Sequence, residues 1–270
     1  MNQMQALKAL IRMRQMTQKY RIAMDNRSSH SDEMDSISAA TVEKWARVFG
    51  DNEDEISAEI IEIAIGIPIV NRLLSIKGVG AMLAARIVAE IDIQECTTVS
   101  KMWRYAGIGL YDYWADADGV VVSPRNGYRW NSERQKVFSE VNPLPDWHLV
   151  KVRDRKMYGW VIPFNPELKS VMYNVGQSFI KSNSPYRKIY DESKEEYLSR
   201  GWTRGHASIA AMRKMNKIFL QHLWAVWREM ESLPVTKTYA ELHGHIHIYN
   251  PQDFGWTDNR TKKKIAGRVR

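Results

Sequence analysis

The sequence predicts a mainly α fold: a helix-hairpin-helix core, long C-terminal helices and one or two inserted β-hairpins. Three observations lead there. Apolar residues recur at helical spacing near the N-terminus and again from Pro166 onward. The run LLSIKGVGAMLAARIVAEI (73–91) places Gly78-Val79-Gly80 between two such stretches. Strand and turn signals are confined to the middle of the chain, around Gly119–Trp130.

Taken in order, residues 2–24 read as an amphipathic helix with Met4, Leu7, Leu10, Ile11 and Met16 on one side. Asn26–Asp35 is polar and serine-rich, a loop. Ser38 or Thr41 caps a helix through Phe49, Asp51–Glu55 breaks it, and Ile56–Ile67 makes another that stops at Pro68. After the glycine turn, Thr98–Gly107 adds a short helix ending in the phrase MWRYAGI. Val120–Val122 leads into SPRNGYRW, where Asn126-Gly127 signals a hairpin turn. Trp147–Val152 and Met157–Ile162 read as a further strand pair. Pro166 suits a helix start, and Leu168, Val171, Met172, Val175 and Phe179 repeat at helical intervals up to Ser182. Pro185–Arg200 and His206–Ser232 are two more helices, with Trp224 and Trp227 in the core and Trp103 with them. The organisation expected is a helical region over 1–70, the helix-hairpin-helix over 71–110 and an inserted hairpin region over 111–165. The helical part of the same domain resumes over 166–232, and an extended basic tail covers 233–270.

Composition narrows the partners. The formal net charge is +8 and the pI near 9.4, which favours a polyanion. Charge is unevenly spread. Lys8, Arg12, Arg14, Lys19, Arg21 and Arg27 face Asp25 alone in the first 31 residues, and 32–62 is strongly acidic. The last eleven residues, RTKKKIAGRVR, carry six positive charges and no acid. The single Cys96 excludes an internal disulfide framework and a cysteine-based zinc cluster, and fits a reducing compartment. No apolar run reaches a membrane span and no secretory signal is present, so the expected location is cytoplasmic with no membrane partner.

The glycine turn carries the chemistry. Two glycines around one apolar residue turn the backbone sharply and leave amides bare at the start of the next helix, where the dipole attracts a phosphate oxygen. Val79 plugs the turn into the core; Ala81, Ala84, Ala85 and Ala89 allow close helix approach; Lys77 and Arg86 add positive charge. An ordinary connection between two helices has the same outline, because Gly-x-Gly before a helix is common. Candidate nucleic-acid contacts are therefore Lys77, Gly78, Val79, Gly80, Ala81 and Arg86. The hairpins add Arg129, Arg153, Arg155 and Lys156, and the tail adds Lys262, Lys263 and Lys264. Aromatics interleaved with these cations (Tyr128, Trp130, Trp147, Tyr158, Trp160) suit base stacking. His243, His245 and His247 share a face if extended, with same-face side chains about 7 Å apart, longer than ideal for one ion. With Asp253 as a fourth ligand they are a minor metal candidate, and the chain calls for no cofactor.

These elements resemble, in order, the C-terminal domain of the IS-one-ten type of insertion-element transposases. There a helix-hairpin-helix of the form I-x-G-[IV]-G-x-x-x-A precedes Y-A-G-[IL], matched by Ile76–Ala85 and by Tyr105-Ala106-Gly107-Ile108. Later come a tyrosine–glycine segment and A-x-x-A-x-x-[RK]-K, matched by Tyr190–Gly201 and by Ala207 to Lys214. The likeness covers about Leu73–Ala106 and Pro166–Glu231, over a third of the chain. The family's RuvC-like domain, whose acids hold Mg²⁺, has no counterpart in the first seventy residues, where Asp51, Asp54 and Glu59 read as a solvated helix face. Its serine nucleophile follows Y-A-G-L within [QE]-S-G. Here the corresponding place reads DYWADADG, and neither Ser123 nor Ser132 stands in the phrase. The resemblance thus implies a transposase-like, DNA-binding relative, of phage or mobile-element origin, without the chemistry. DNA is the expected partner, with RNA as the alternative, and a homodimer would add avidity. Two other readings stay open. One is an active strand-transferase or metal-dependent nuclease built on Asp112, Asp116, Asp118 or the histidines. The other is an interaction protein that targets a host factor through its acidic segment.

Overall fold

The computed structural model describes residues 3–30, 35–153, 157–236 and 249–256. Among them are eight α-helices and five short strands, so the chain is mainly helical with small antiparallel sheets, as expected. They form two compact units, one built from the chain up to Glu90 and the other from Ile91–Gly255.

The first unit begins with α1 (Gln3–Ser28) and α2 (Ser36–Ile65). α1 runs past Asn26, so the loop expected to start there begins later. Asp35, rather than Ser38 or Thr41, caps α2: its carboxylate accepts from the Ile37 and Ser38 amides at 3.0 and 2.9 Å. α2 is also one unbroken helix of 30 residues. The expected break at Asp51–Glu55 is absent for a specific reason. Glu53 is buried, 5% exposed, and accepts from Arg14 at 2.7 Å and from Arg21 at 2.8 Å. Tertiary ion pairing holds the acidic turn helical, while Asp51, Asp54 and Glu59 remain on the solvated face. Gln3 meets Ile63 and Arg21 meets Glu53, so the two helices run antiparallel. Only Leu7 and Ile11 of α1 are buried; Met16 is exposed and Met4 and Leu10 are partly so. α3 (Pro68–Leu74) starts on its proline, and α4 (Ala81–Glu90) packs against α1, α2 and α3 through Ala84, Ala85, Ile87 and Val88.

The second unit is organised around α8 (Arg204–Met230), which packs against α5 (Val99–Tyr105), α6 (Pro166–Lys181) and α7 (Arg187–Ser199). Thr98, Asn165 and Thr203 cap α5, α6 and α8 through their side chains. Phe179, Tyr186, Phe219 and Trp224 are fully enclosed. The indole N–H of Trp224 donates to the Cys96 carbonyl at 2.7 Å, and Arg228 donates to Ile93 at 3.0 Å, fastening the end of α8 to the start of the unit.

Between α5 and α6 the strands β1 (Tyr111–Ala115), β2 (Val121–Pro124) and β5 (His148–Val152) form one antiparallel sheet in the order β2-β1-β5. β3 (Asn126–Trp130) and β4 (Lys136–Glu140) form a separate hairpin. Two expectations are corrected here. Asn126-Gly127 lies within β3 rather than at a turn. The reversal sits at Asn131–Gln135, where the Asn131 side-chain oxygen accepts from the Glu133 and Gln135 amides at 3.0 and 2.8 Å. Gly127 instead makes room for Trp160, since a Cβ there would stand 3.3 Å from the indole. Secondly, β5 pairs with β1 and not with Met157–Ile162. That segment lies along β3, through the Val161 amide to the Tyr128 carbonyl at 2.7 Å and a bridge from Trp160 to Arg129. Packing against the indole outweighs local strand pairing.

Candidate nucleic-acid interface

The α3–α4 turn is built from local bonds. Ile76 donates to Leu73 and Val79 to Ile76, each at 3.1 Å, which draws the chain back on itself after α3. Gly78 then takes φ 101°, a backbone angle that side chains rarely adopt. Val79 is 7% exposed and points inward with Ile76 and Leu73, as expected of a plug. The first bond of α4 runs from the Ala84 amide to the Gly80 carbonyl at 2.9 Å. The amides of Ala81, Met82 and Leu83 therefore stand outside the helical ladder, at the positive end of the dipole. A Cβ on Gly80 would meet nothing within 4 Å, so the space beside Gly80 is open. Lys77 is exposed beside it, whereas Arg86 is half-buried on α4 and engaged within the fold. Ala84, Ala85 and Ala89 are buried, and Ala81 is half-buried.

The β3–β4 hairpin holds a second group. Tyr128 faces Phe138 across the ladder with ring centroids 5.6 Å apart, and Trp130 faces Lys136, whose ammonium lies 5.4 Å from the indole centre. All three rings are about half exposed. On the opposite face the Arg129 guanidinium lies 5.1 Å from the Trp160 ring centre. Trp160 and Gly127 also border a cavity of about 290 Å³ with Tyr113, Pro124 and Ile162. Arg153, just beyond β5, is exposed. Arg155, Lys156, Lys262, Lys263, Lys264, His243, His245 and His247 lie outside the described residues.

Of the acids considered for catalysis, Asp116 serves local structure. The Asp116 carboxylate accepts from the Val120 amide at 2.8 Å and its carbonyl from Gly119, closing the β1–β2 turn. Asp118 is exposed in that turn, and Asp112 sits in β1 with its carbonyl accepting from Arg125. Ser123 is buried and donates to Pro124, and Ser132 is exposed in the β3–β4 turn. Among the described residues no group of three or more His, Cys, Asp or Glu could hold a metal ion, and no helix is long and apolar enough to cross a membrane. Cys96 is buried, and desolvation pushes its thiol up to about 11, away from nucleophile or ligand chemistry at neutral pH.

The sequence reading places Arg213 only within the family-like A-x-x-A-x-x-[RK]-K phrase and assigns Lys217 no role. Their signal was the basic run Arg213, Lys214 and Lys217 on one stretch of a helix whose other face is apolar. They are half-buried on α8. Trp103, expected in the core, is half-buried against Lys217 and donates its indole N–H to the Lys217 carbonyl at 2.9 Å. No protein-family model matches the chain, and no curated protein matches it.

Proposed function

We propose that this protein binds nucleic acid, DNA first, by gripping the phosphate backbone, and that it is a transposase-like protein of phage or mobile-element type that performs no strand chemistry itself. The observation that carries the reading is the α3–α4 turn. Gly78 takes φ 101°, three amides stand outside the ladder of α4, and the space beside Gly80 is open near the exposed Lys77. Such a site takes a phosphate oxygen without reading bases. The net charge of +8 supports a polyanionic partner. The local roles of the Asp116 carboxylate and the Ser123 hydroxyl support binding over catalysis. A second copy of the chain fits the same reading, since Met13, Met16 and Tyr20 leave an exposed apolar stripe along α1.

Gly80→Asp separates binding from folding. Asp is a favoured N-cap and the space for its side chain is open, so stability should hold or rise by a few tenths of a kcal/mol. The carboxylate would then occupy the phosphate position. Fluorescence anisotropy with a labelled 30-base-pair duplex should give wild-type affinity that falls steeply with salt. The variant should bind about tenfold more weakly, and Lys77→Ala should lower the salt slope by about one. Wild-type binding that is absent at low salt, or unchanged in Gly80→Asp, overturns the reading. Nicking of supercoiled DNA in Mg²⁺ would replace it with the nuclease alternative.

A further inference from the structure

α8 presents Arg213 and Lys217 one turn apart on one face, both half-buried. Trp103 of α5 holds Lys217 twice. Its N–H donates to the Lys217 carbonyl at 2.9 Å, and its ring lies 5.1 Å beneath the ammonium. Arg153, following β5, is close enough to act on both. Desolvation lowers the pKa of Arg213 and of Lys217, and the positive neighbours lower them further: Arg153 for Arg213, then Arg213 and Arg153 for Lys217. Among the described residues no carboxylate is ion-paired with any of the three. Two half-buried cations that repel one another and a third, exposed one cost the fold stability, and an anion relieves that cost.

We propose that Arg153, Arg213 and Lys217 form a phosphate-binding site within the unit Ile91–Gly255, with Trp103 holding the lysine in place. Two planar guanidinium forks and one ammonium match the several oxygens of a phosphate group. The phosphate is either a backbone phosphodiester or the free phosphate of a small molecule. The site does not depend on the α3–α4 turn.

The test compares the full chain with Arg213→Met/Lys217→Met, using Lys101→Met, an exposed cation of the same unit, as control. The first arm titrates inorganic phosphate at constant ionic strength against chloride and reads the melting temperature. Wild type and control should rise by roughly 3 °C with saturation, and the double variant should not respond. An equal response in all three proteins overturns the proposal, as does no response in wild type. If the double variant fails to fold, the exposed Arg153→Met carries the same comparison. The second arm measures binding of a 20-nucleotide strand. A roughly tenfold loss and a shallower salt slope in the double variant assign a phosphodiester. Unchanged strand binding with a lost phosphate response assigns a free phosphate. A wild type that ignores the strand yet responds to phosphate defeats the nucleic-acid reading and leaves this site standing.

Discussion

The α1–α2 hairpin and α8 use the same residue types in opposite ways. In the hairpin, Arg14 and Arg21 converge on the buried Glu53 at 2.7 and 2.8 Å, and Arg21 also holds Asp25. On α8, Arg213 and Lys217 lie one turn apart; beyond desolvation, Arg153 lowers the pKa of Arg213, and Arg213 and Arg153 lower that of Lys217. Compensated cations hold two helices together, a task internal to the fold. Uncompensated ones keep a charge available for something outside it. A basic residue is thus sorted into structure or binding by its partner rather than by its burial.

A third basic group sets the scale of the comparison and has the largest expected effect. His222, on α8, is 1% exposed and carries no charge. Its Nε2–H donates to the Tyr249 carbonyl at 2.8 Å, and its Nδ1 accepts from the Tyr186 hydroxyl at 2.6 Å. Desolvation pushes its pKa down to about 4, against the opposing pull of the Tyr249 carbonyl and Asp253. The unfolded chain, titrating near 6.5, takes up a proton first. The stability from this group is therefore complete above about pH 6.5 and lost progressively as the pH falls toward 4, by about 3 kcal/mol. Urea denaturation from pH 7 to pH 4.5 should show that slope, and His222→Phe should flatten it.

Glu53→Gln tests the compensated half. Removing the shared carboxylate charge leaves two half-buried guanidiniums facing each other, and urea denaturation should register a loss of about 2 kcal/mol. A neutral outcome would mean that these ion pairs are no firmer than solvated ones. The smallest effect is expected on the uncompensated half: Arg213→Met should change stability by less than about 0.5 kcal/mol, or raise it, because it relieves repulsion while keeping the aliphatic stem. A loss as large as that in Glu53→Gln would erase the contrast and make Arg213 a structural residue.

Much of the helical plan was legible because it depends on local signals. Pro166 after Asn165, the apolar repeat from Leu168 to Phe179, and Thr98 ahead of α5 each act within a turn or two. The glycine turn was legible for the same reason, since φ 101° at Gly78 and the inward Val79 follow from residue type. Reading failed where a distant partner overrode local preference. Asp51–Glu55 looked like a break because Arg14 and Arg21 lie more than thirty residues away. Asn126-Gly127 looked like a turn because Trp160, which needs the missing Cβ, is equally remote in sequence.

The sequence by itself determined the helix class, the backbone angle of the α3–α4 turn and the excess of positive charge, all properties of neighbouring residues. Tertiary structure alone decided which cations were neutralised and which were left unpaired. Electrostatic energy depends on distance and desolvation in space, and a linear spacing records neither.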